Sequence, residues 1–437
     1  MVFAVGWESI MTLRILLLLF SSILASSAEA QAALWRVPSQ CPTVQAGIDS
    51  AVAGDTVLVA CGEYLEWGIE MKSGICLRSE TGEAFCVTIN AQKQGRVLHC
   101  EDLDGTTRIE GITFTGGAVA GDSYPWNAGA GVLCVGSSVV FQDCAFVENA
   151  AGGGGGALRM AVSSPILTGC VFSDNVAWNG GAIYCSASSP EFRRCSLTDN
   201  FAGIHGGGVY CSASSSPDFE DCVLSRNSAT VGGGMYGQGS SSTLTGCVFS
   251  WNSADDGGGM QLRDATANLS GCTFLLNSAD YGGGLYCYDD SSPVLMNCTF
   301  FGNSGKMGGG GMICMYGSSP ELGNTIIAFS LAGEALATYQ SDPLLSCCDL
   351  YANQGGDWVG DIAGQLGTNG NISLDPMFCD PAKNDLHLRG KSSCAPWTPP
   401  NPECDLIGAW PVGCGTTAVS APDKSPASWS SVKSLFR

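Results

Sequence analysis

The sequence predicts an all-β fold, a right-handed parallel β-helix built from stacked coils of about 25 residues. Three observations predict it. A Cys-x-Phe/Leu-x-x-Asn motif recurs as Cys144–Asn149, Cys170–Asn175, Cys195–Asn200, Cys222–Asn227, Cys247–Asn252, Cys272–Asn277 and Cys298–Asn303, at spacings of 25 to 27 residues. A glycine run followed by an aliphatic residue recurs in step with it, ending on Val132, Leu158, Ile183, Val209, Met235, Met260, Leu285 and Met312. Within each repeat the apolar residues alternate with period 2, the signature of strands and not of helices.

Composition narrows the choice. The chain has 437 residues, 60 of them glycine, only 14% charged and 45% hydrophobic. That is enough apolar material for a core and too much for disorder. Glycine runs break helices, and the Leu-x-x-Leu-x-Leu frame of leucine-rich repeats is absent. The formal net charge of −21 repels phosphate backbones and excludes nucleic acid as a partner.

In the coil starting at Gly180, Ile183 and Cys185 share the inner face and Tyr184 the outer. Phe192 follows on a middle strand. Cys195 and Leu197 point inward on a third, and Asn200 begins the return turn. Stacked coils lie ~4.8 Å apart, so like residues lie over like. The asparagines therefore form an amide ladder, and the glycines serve a tight corner.

The motif cysteines form a second inward ladder. A further set, Cys134, Cys185, Cys211, Cys287 and Cys314, lies on the glycine strand. Pairing within a coil, as Cys185 with Cys195, is open to some coils. Cys170, Cys247 and Cys272 keep the ladder position where that strand has Met160, Gly237 or Leu262, which favours buried thiols there. The total of 23 cysteines leaves at least one unpaired.

The ends differ from the array. Residues 1–30 read as a secretory signal: Arg14, the apolar run Ile15–Phe20, and the cleavage site Ala28-Glu29-Ala30, with Met11 opening a better charged head. The run is short for a membrane span, and no later segment is suited to one. Residues 31–127 hold a cap and irregular coils, with an amphipathic helix over Thr43–Val52 and a strand over Thr56–Ala60. Regular coils occupy 128–330, last coils and a C-terminal cap 331–415, and a flexible tail 416–437. Cys379, Cys394, Cys404 and Cys414 sit among prolines and turns in that loop-rich cap, where disulfides compensate for a small core.

The N-terminal helix, turn and strand resemble the cap of the pectate-lyase-like β-helix superfamily. Phe172-Ser173-Asp174-Asn175 and Gly180-Gly181-Ala182-Ile183 resemble the passenger repeats of polymorphic outer-membrane proteins, over roughly Ala128 to Cys314. The likeness implies a β-helix, and adhesion at the cell surface. Passengers of that family carry a C-terminal membrane barrel, for which too few residues follow Ser330. The last part resembles the closing segment of bacterial β-helix repeat proteins.

The superfamily also implies an alternative, a polysaccharide lyase or glycoside hydrolase. Its acidic clusters beside a basic residue have no recognisable motif here. The nearest candidates for catalysis are Asp255 and Asp280, equivalent positions one coil apart, a spacing that would suit paired carboxylates or a calcium ion; solvated turn residues are the plainer reading. His99, His205 and His387 share no motif, and Gly390-Lys391-Ser392 lacks the first glycine of a phosphate loop, Asp385 standing there. The better ligand-binding candidate is an outward file of Tyr184, Tyr210, Tyr236 and Tyr286, with Arg159 and Gln261 at equivalent places and Trp178 and Trp251 on turns. Each ring offers an apolar face and a polar tip to a sugar; mutual stacking that supports the sheet is the competing account. The expectation is an exported binding module for a polysaccharide or surface protein, without catalysis, cofactor or bound metal. A structural spacer is the third possibility.

Overall fold

Each coil turns through three main strands, and each strand pairs in parallel with its counterparts in the coils above and below. The computed structural model describes residues 32–121 and 127–414, so the expected signal segment and tail lie outside the described residues. The stacked strands make sheets of thirteen, eleven and twelve members wound into a right-handed solenoid. The eleven-stranded sheet carries the glycine strands, such as Ile183–Ser186; the thirteen-stranded sheet the middle strands, such as Glu191–Arg193; and the twelve-stranded sheet the cysteine-motif strands, such as Ser196–Thr198.

The corners explain the motifs. Between middle and third strands the chain bends at a single residue of positive φ, as at Asp143, Gly169, Arg194 and Asp221, and bends again just before the ladder asparagine, as at Asp174 and Asp199. At Gly180 (φ +60°) a Cβ would run into the Ile183 carbonyl oxygen, so the glycine corner admits no side chain.

The amide ladder is continuous and buried from Asn149 to Asn303. Asn149 Nδ2 donates to Asn175 Oδ1 at 3.1 Å, Asn200 to Asn227 at 2.9 Å, and Asn277 to Asn303 at 3.0 Å. Each amide also caps a backbone carbonyl, as Asn227 Nδ2 does Leu197 O at 2.9 Å. The ladder thus satisfies buried groups at a corner where the sheets cannot.

A second ladder was not read from the sequence. At the corner between glycine and middle strands, Ser137 N donates to Ser163 Oγ at 3.1 Å, Ser163 N to Ser188 Oγ at 3.1 Å, and Ser291 N to Ser318 Oγ at 3.1 Å. Its trace is the recurrent Ser-Ser-Pro at 163–165, 188–190, 215–217, 291–293 and 318–320.

The seven motif cysteines are buried, unbridged thiols, and so are Cys134, Cys185, Cys211, Cys287 and Cys314. Ladder thiols donate to carbonyls, as Cys170 does to Phe141 O at 3.7 Å and Thr168 O at 3.6 Å. Beside them the ring file Phe249–Phe274–Phe300 stacks at 4.8 and 4.5 Å between centroids.

Two features differ from expectation. The return turn is partly extended, and in some coils it pairs as a short fourth strand: Ala150–Gly154, Val176–Asn179 and Phe201–His205 join one small sheet, Ser278–Tyr281 and Ser304–Gly308 another. Coils of near-equal length bring equivalent backbone into register even where the side chains lack strand patterning. The N-terminal helix is shorter than expected, Val44–Ser50, with Thr43 Oγ1 capping Ala46 N.

The C-terminal segment does more than close an end. Ile362 covers the end of the core, but residues 372–410 fold back along the outer face of the third sheet. There Ile372, Phe378, Leu388 and Ile407 pack with Leu275, Ile326 and Ala328, and Trp410 Nε1 donates to Thr273 Oγ1 at 3.0 Å. Disulfides join Cys379 to Cys414 and Cys404 to Cys347, and a third joins Cys61 to Cys86. Cys394, expected among the bridged residues, is instead a buried thiol whose Sγ donates to Asp349 Oδ2 at 3.1 Å. In that packed layer the Cys394 thiol meets a carboxyl and not another sulfur.

Burial pushes the Asp349 carboxyl up to about 7, although Leu374 N and Cys394 donate to it. Its folded value lies above its unfolded one, so the folded chain binds the extra proton between about pH 4 and 7. Stability from this group is therefore lost as pH rises through that window, at up to about 1.4 kcal/mol per pH unit. Asp349→Asn is expected to flatten the trend in urea unfolding midpoints; an unchanged pH profile would assign the trend elsewhere.

Candidate functional site

The outer face of the glycine-strand sheet meets the return segment in a groove of about 430 Å³. Its walls come from four successive coils and the return segments beside them: Tyr236, then Gln261 and Arg263, then Tyr286 and Tyr288, then Met315 and Tyr316, with His205, Asp256 and Tyr281 facing them. The glycine strand supplies alternate residues to this face because its other residues, such as Cys287 and Met312, point into the core.

The predicted tyrosine file exists but is mostly covered. Tyr184 and Tyr210 stack at 4.6 Å and Tyr210 and Tyr236 at 5.3 Å, with the His205 ring 4.9 Å from Tyr236. Tyr210, Tyr236 and Tyr286 are only 7%, 2% and 5% exposed. Arg159 lies 3.7 Å over Tyr184. Most of those ring faces are occupied by neighbours, so the file supports the sheet, and Tyr236 and Tyr286 alone of the four line the groove. The fourth-strand segment, unseen in the sequence, is what covers them. Trp178 and Trp251 are exposed but stand outside the groove.

The accessible rings are others. Tyr288, Tyr316 and Tyr339 form an edge-to-face file at 5.2 and 5.4 Å, with Tyr316 and Tyr339 42% and 50% exposed. Sequence reasoning passed over them because they fall two or three positions beyond the place of the repeating tyrosine. The signal available was the aromatic residue just after the last inward position of the strand, Tyr288 after Cys287, with Tyr316 two places after Cys314.

Asp255 and Asp280 do occupy adjacent coils, with Asp280 N donating to Asp255 O at 2.9 Å. Neither lines the groove. Asp280 pairs with Lys306 at 3.1 Å, and it is Asp256 that faces the tyrosines. Burial, helped by Asp255 and Asp280, raises the Asp256 carboxyl above its ordinary value. Burial raises the Tyr286 phenol too, and Asp256 contributes to that rise. Burial and Arg263 lower His205, which stays a neutral imidazole at pH 7 with its ring nitrogen on Asn179 Oδ1 at 2.7 Å. Arg263 is paired with Asp289 at 3.1 Å and lies 5.5 Å over the Tyr288 ring. The groove thus combines aromatic faces, an acid with no ion pair among the described residues, an amide and a guanidinium already spoken for.

His99 pairs with Glu70 at 2.9 Å and His387 with Asp385 at 2.7 Å, both away from the groove. Among the described residues no three His, Cys, Asp or Glu side chains converge to hold a metal ion, and no helix is long and apolar enough to cross a membrane.

Fold and groove define a parallel β-helix protein with a lateral aromatic site. The sequence model described as the right handed beta helix region matches residues 98–260 and 207–372, and the chain belongs to that family. No curated protein matches it. Among solved structures it is similar to pectate lyase Pel9A, at 10% identity and a TM-score of 0.43, over 87% of this chain and 96% of that one. It is also similar to the A-module of the Azotobacter vinelandii mannuronan C-5 epimerase AlgE4, at 12% identity and a TM-score of 0.29, over 72% and 95%.

Proposed function

We propose that this chain is an exported β-helix protein that binds a glycan in the groove between Tyr236 and Tyr316. The carrying observation is the concentration of Tyr281, Tyr286, Tyr288 and Tyr316 around one trough, with polar groups at its floor. Sugar rings pack on aromatic faces while phenol tips and amides take their hydroxyls. The three disulfides fit an oxidising exterior.

The test is a panel of acidic, neutral and amino polysaccharides, with and without calcium, scored for binding and for new reducing or unsaturated ends. Tyr288→Ala and Tyr316→Ala are each expected to weaken binding roughly tenfold, the loss of one stacking face. Binding indifferent to both substitutions would remove the groove from the account.

One observation favours a second reading, a lyase or hydrolase: Asp256 holds its proton more tightly than an ordinary carboxyl and stands near Asp255 and Asp280. A general acid needs that property. New chain ends abolished by Asp256→Ala would make the protein an enzyme.

A further inference from the structure

The groove's charges point to a more specific occupant. Arg263 is engaged by Asp289 and Lys306 by Asp280, while Asp255 and Asp256 add further negative charge. A polyuronate would find no unengaged cation at these positions and several carboxylates. Asp256 itself lines the same groove as Tyr286, whose phenol it helps to raise, and forms no ion pair among the described residues. A second observation is independent of the acids. Gln261, 5% exposed, lines the groove with an amide oxygen that has no hydrogen-bond partner among the described residues. Its terminal torsion is soft, so the amide can offer that oxygen to an occupant. Aromatic rings that attract cations, a carboxylate without a counter-charge and an acceptor without a donor are complementary to one group. That group is a primary ammonium, which supplies both the charge and N–H donors. A quaternary ammonium would leave Gln261 unsatisfied.

We propose that the groove selects a saccharide bearing free amino groups, a glucosamine-type chain, over neutral and uronic acid chains. The inference rests on the glycan reading above. The sugar rings lie on Tyr288 and Tyr316, and the ammonium sits between Asp256 and Gln261.

The test is calorimetric titration of the mature protein with three hexamers, of glucosamine, N-acetylglucosamine and galacturonate, at a mildly acidic pH that protonates the amine. The glucosamine hexamer is expected to bind at least tenfold more tightly than either other. Asp256→Asn, nearly isosteric, should erase most of that preference, and Gln261→Met should reduce it without changing the charge. Asp218→Asn removes the same charge from the middle-strand sheet, away from the groove, and should leave affinity unchanged. Equal loss from Asp256→Asn and Asp218→Asn would mean diffuse attraction to an acidic surface and overturn the proposal. Preference for the acetylated or galacturonate hexamer would also overturn it while leaving glycan binding intact. Binding of none would overturn both.

Discussion

Replacing Asn227 with alanine is expected to cost roughly 3–6 kcal/mol, since a buried polar group left without a partner costs about 1–3 kcal/mol and each further hydrogen bond lost about 0.5–1.5 kcal/mol. Asn227 Oδ1 accepts from Asn200 N at 3.1 Å and from Asn200 Nδ2 at 2.9 Å, while its own Nδ2 serves Leu197 O at 2.9 Å. Alanine orphans Asn200 N and removes one hydrogen bond each from Asn200 Nδ2, which keeps Phe172 O, from Leu197 O and from Asn252 Oδ1, where water does not reach because Asn200 and Asn227 are buried. Coils of a solenoid contact chiefly their neighbours, so damage should be centred there, with hydrogen exchange quickening first at the Asn200 amide. A urea midpoint shift equivalent to less than 1 kcal/mol would show that the ladder is ornamental.

Phe274→Ala is expected to cost about 3–5 kcal/mol, the range for removing a buried aromatic ring. Phe274 is fully buried between Phe249 and Phe300, with ring planes 5° and 2° from parallel. The coils on either side press both faces, so the space left cannot collapse without moving two other rings. Phe274→Leu should cost far less, about 1–2 kcal/mol, because Leu197 and Leu224 hold the same file in other coils. Equal losses for the two variants would mean the site relaxes freely and that stacking contributes little.

Asn227 and Phe274 belong to the part of the molecule most legible in the primary structure. A coil repeats its environment, so each inward position imposes the same demand some 25 residues later. Asparagine at the corner, a small thiol beside it and phenylalanine on the third strand are copies of one solution, and copies are visible without coordinates. The serine corner was equally repetitive and was missed only because serine and proline look like ordinary turn residues. The return segments were misread for another reason. Their pairing comes from the register that neighbouring coils impose, not from their own alternation.

The groove was not legible in the same way. Asp256, Gln261, Arg263, Tyr288 and Tyr316 come from three successive coils and differ in kind even where, as with Arg263 and Tyr288, they share a phase of the repeat, so no repeated motif links them. Their chemistry comes from departures from the pattern: an acid where neighbouring coils place a histidine, valine or tyrosine, a glutamine where others place tyrosine. The expected tyrosine file was right in its direction and wrong in its exposure. Whether Tyr210 is bare or covered depends on how the return segment with His205 lies across it, which is a matter of packing between residues distant in kind. Inward residues answer to one repeated environment and could be inferred from the chain alone. The outward site arises where unlike residues from successive coils converge, and the folded molecule alone brings them together.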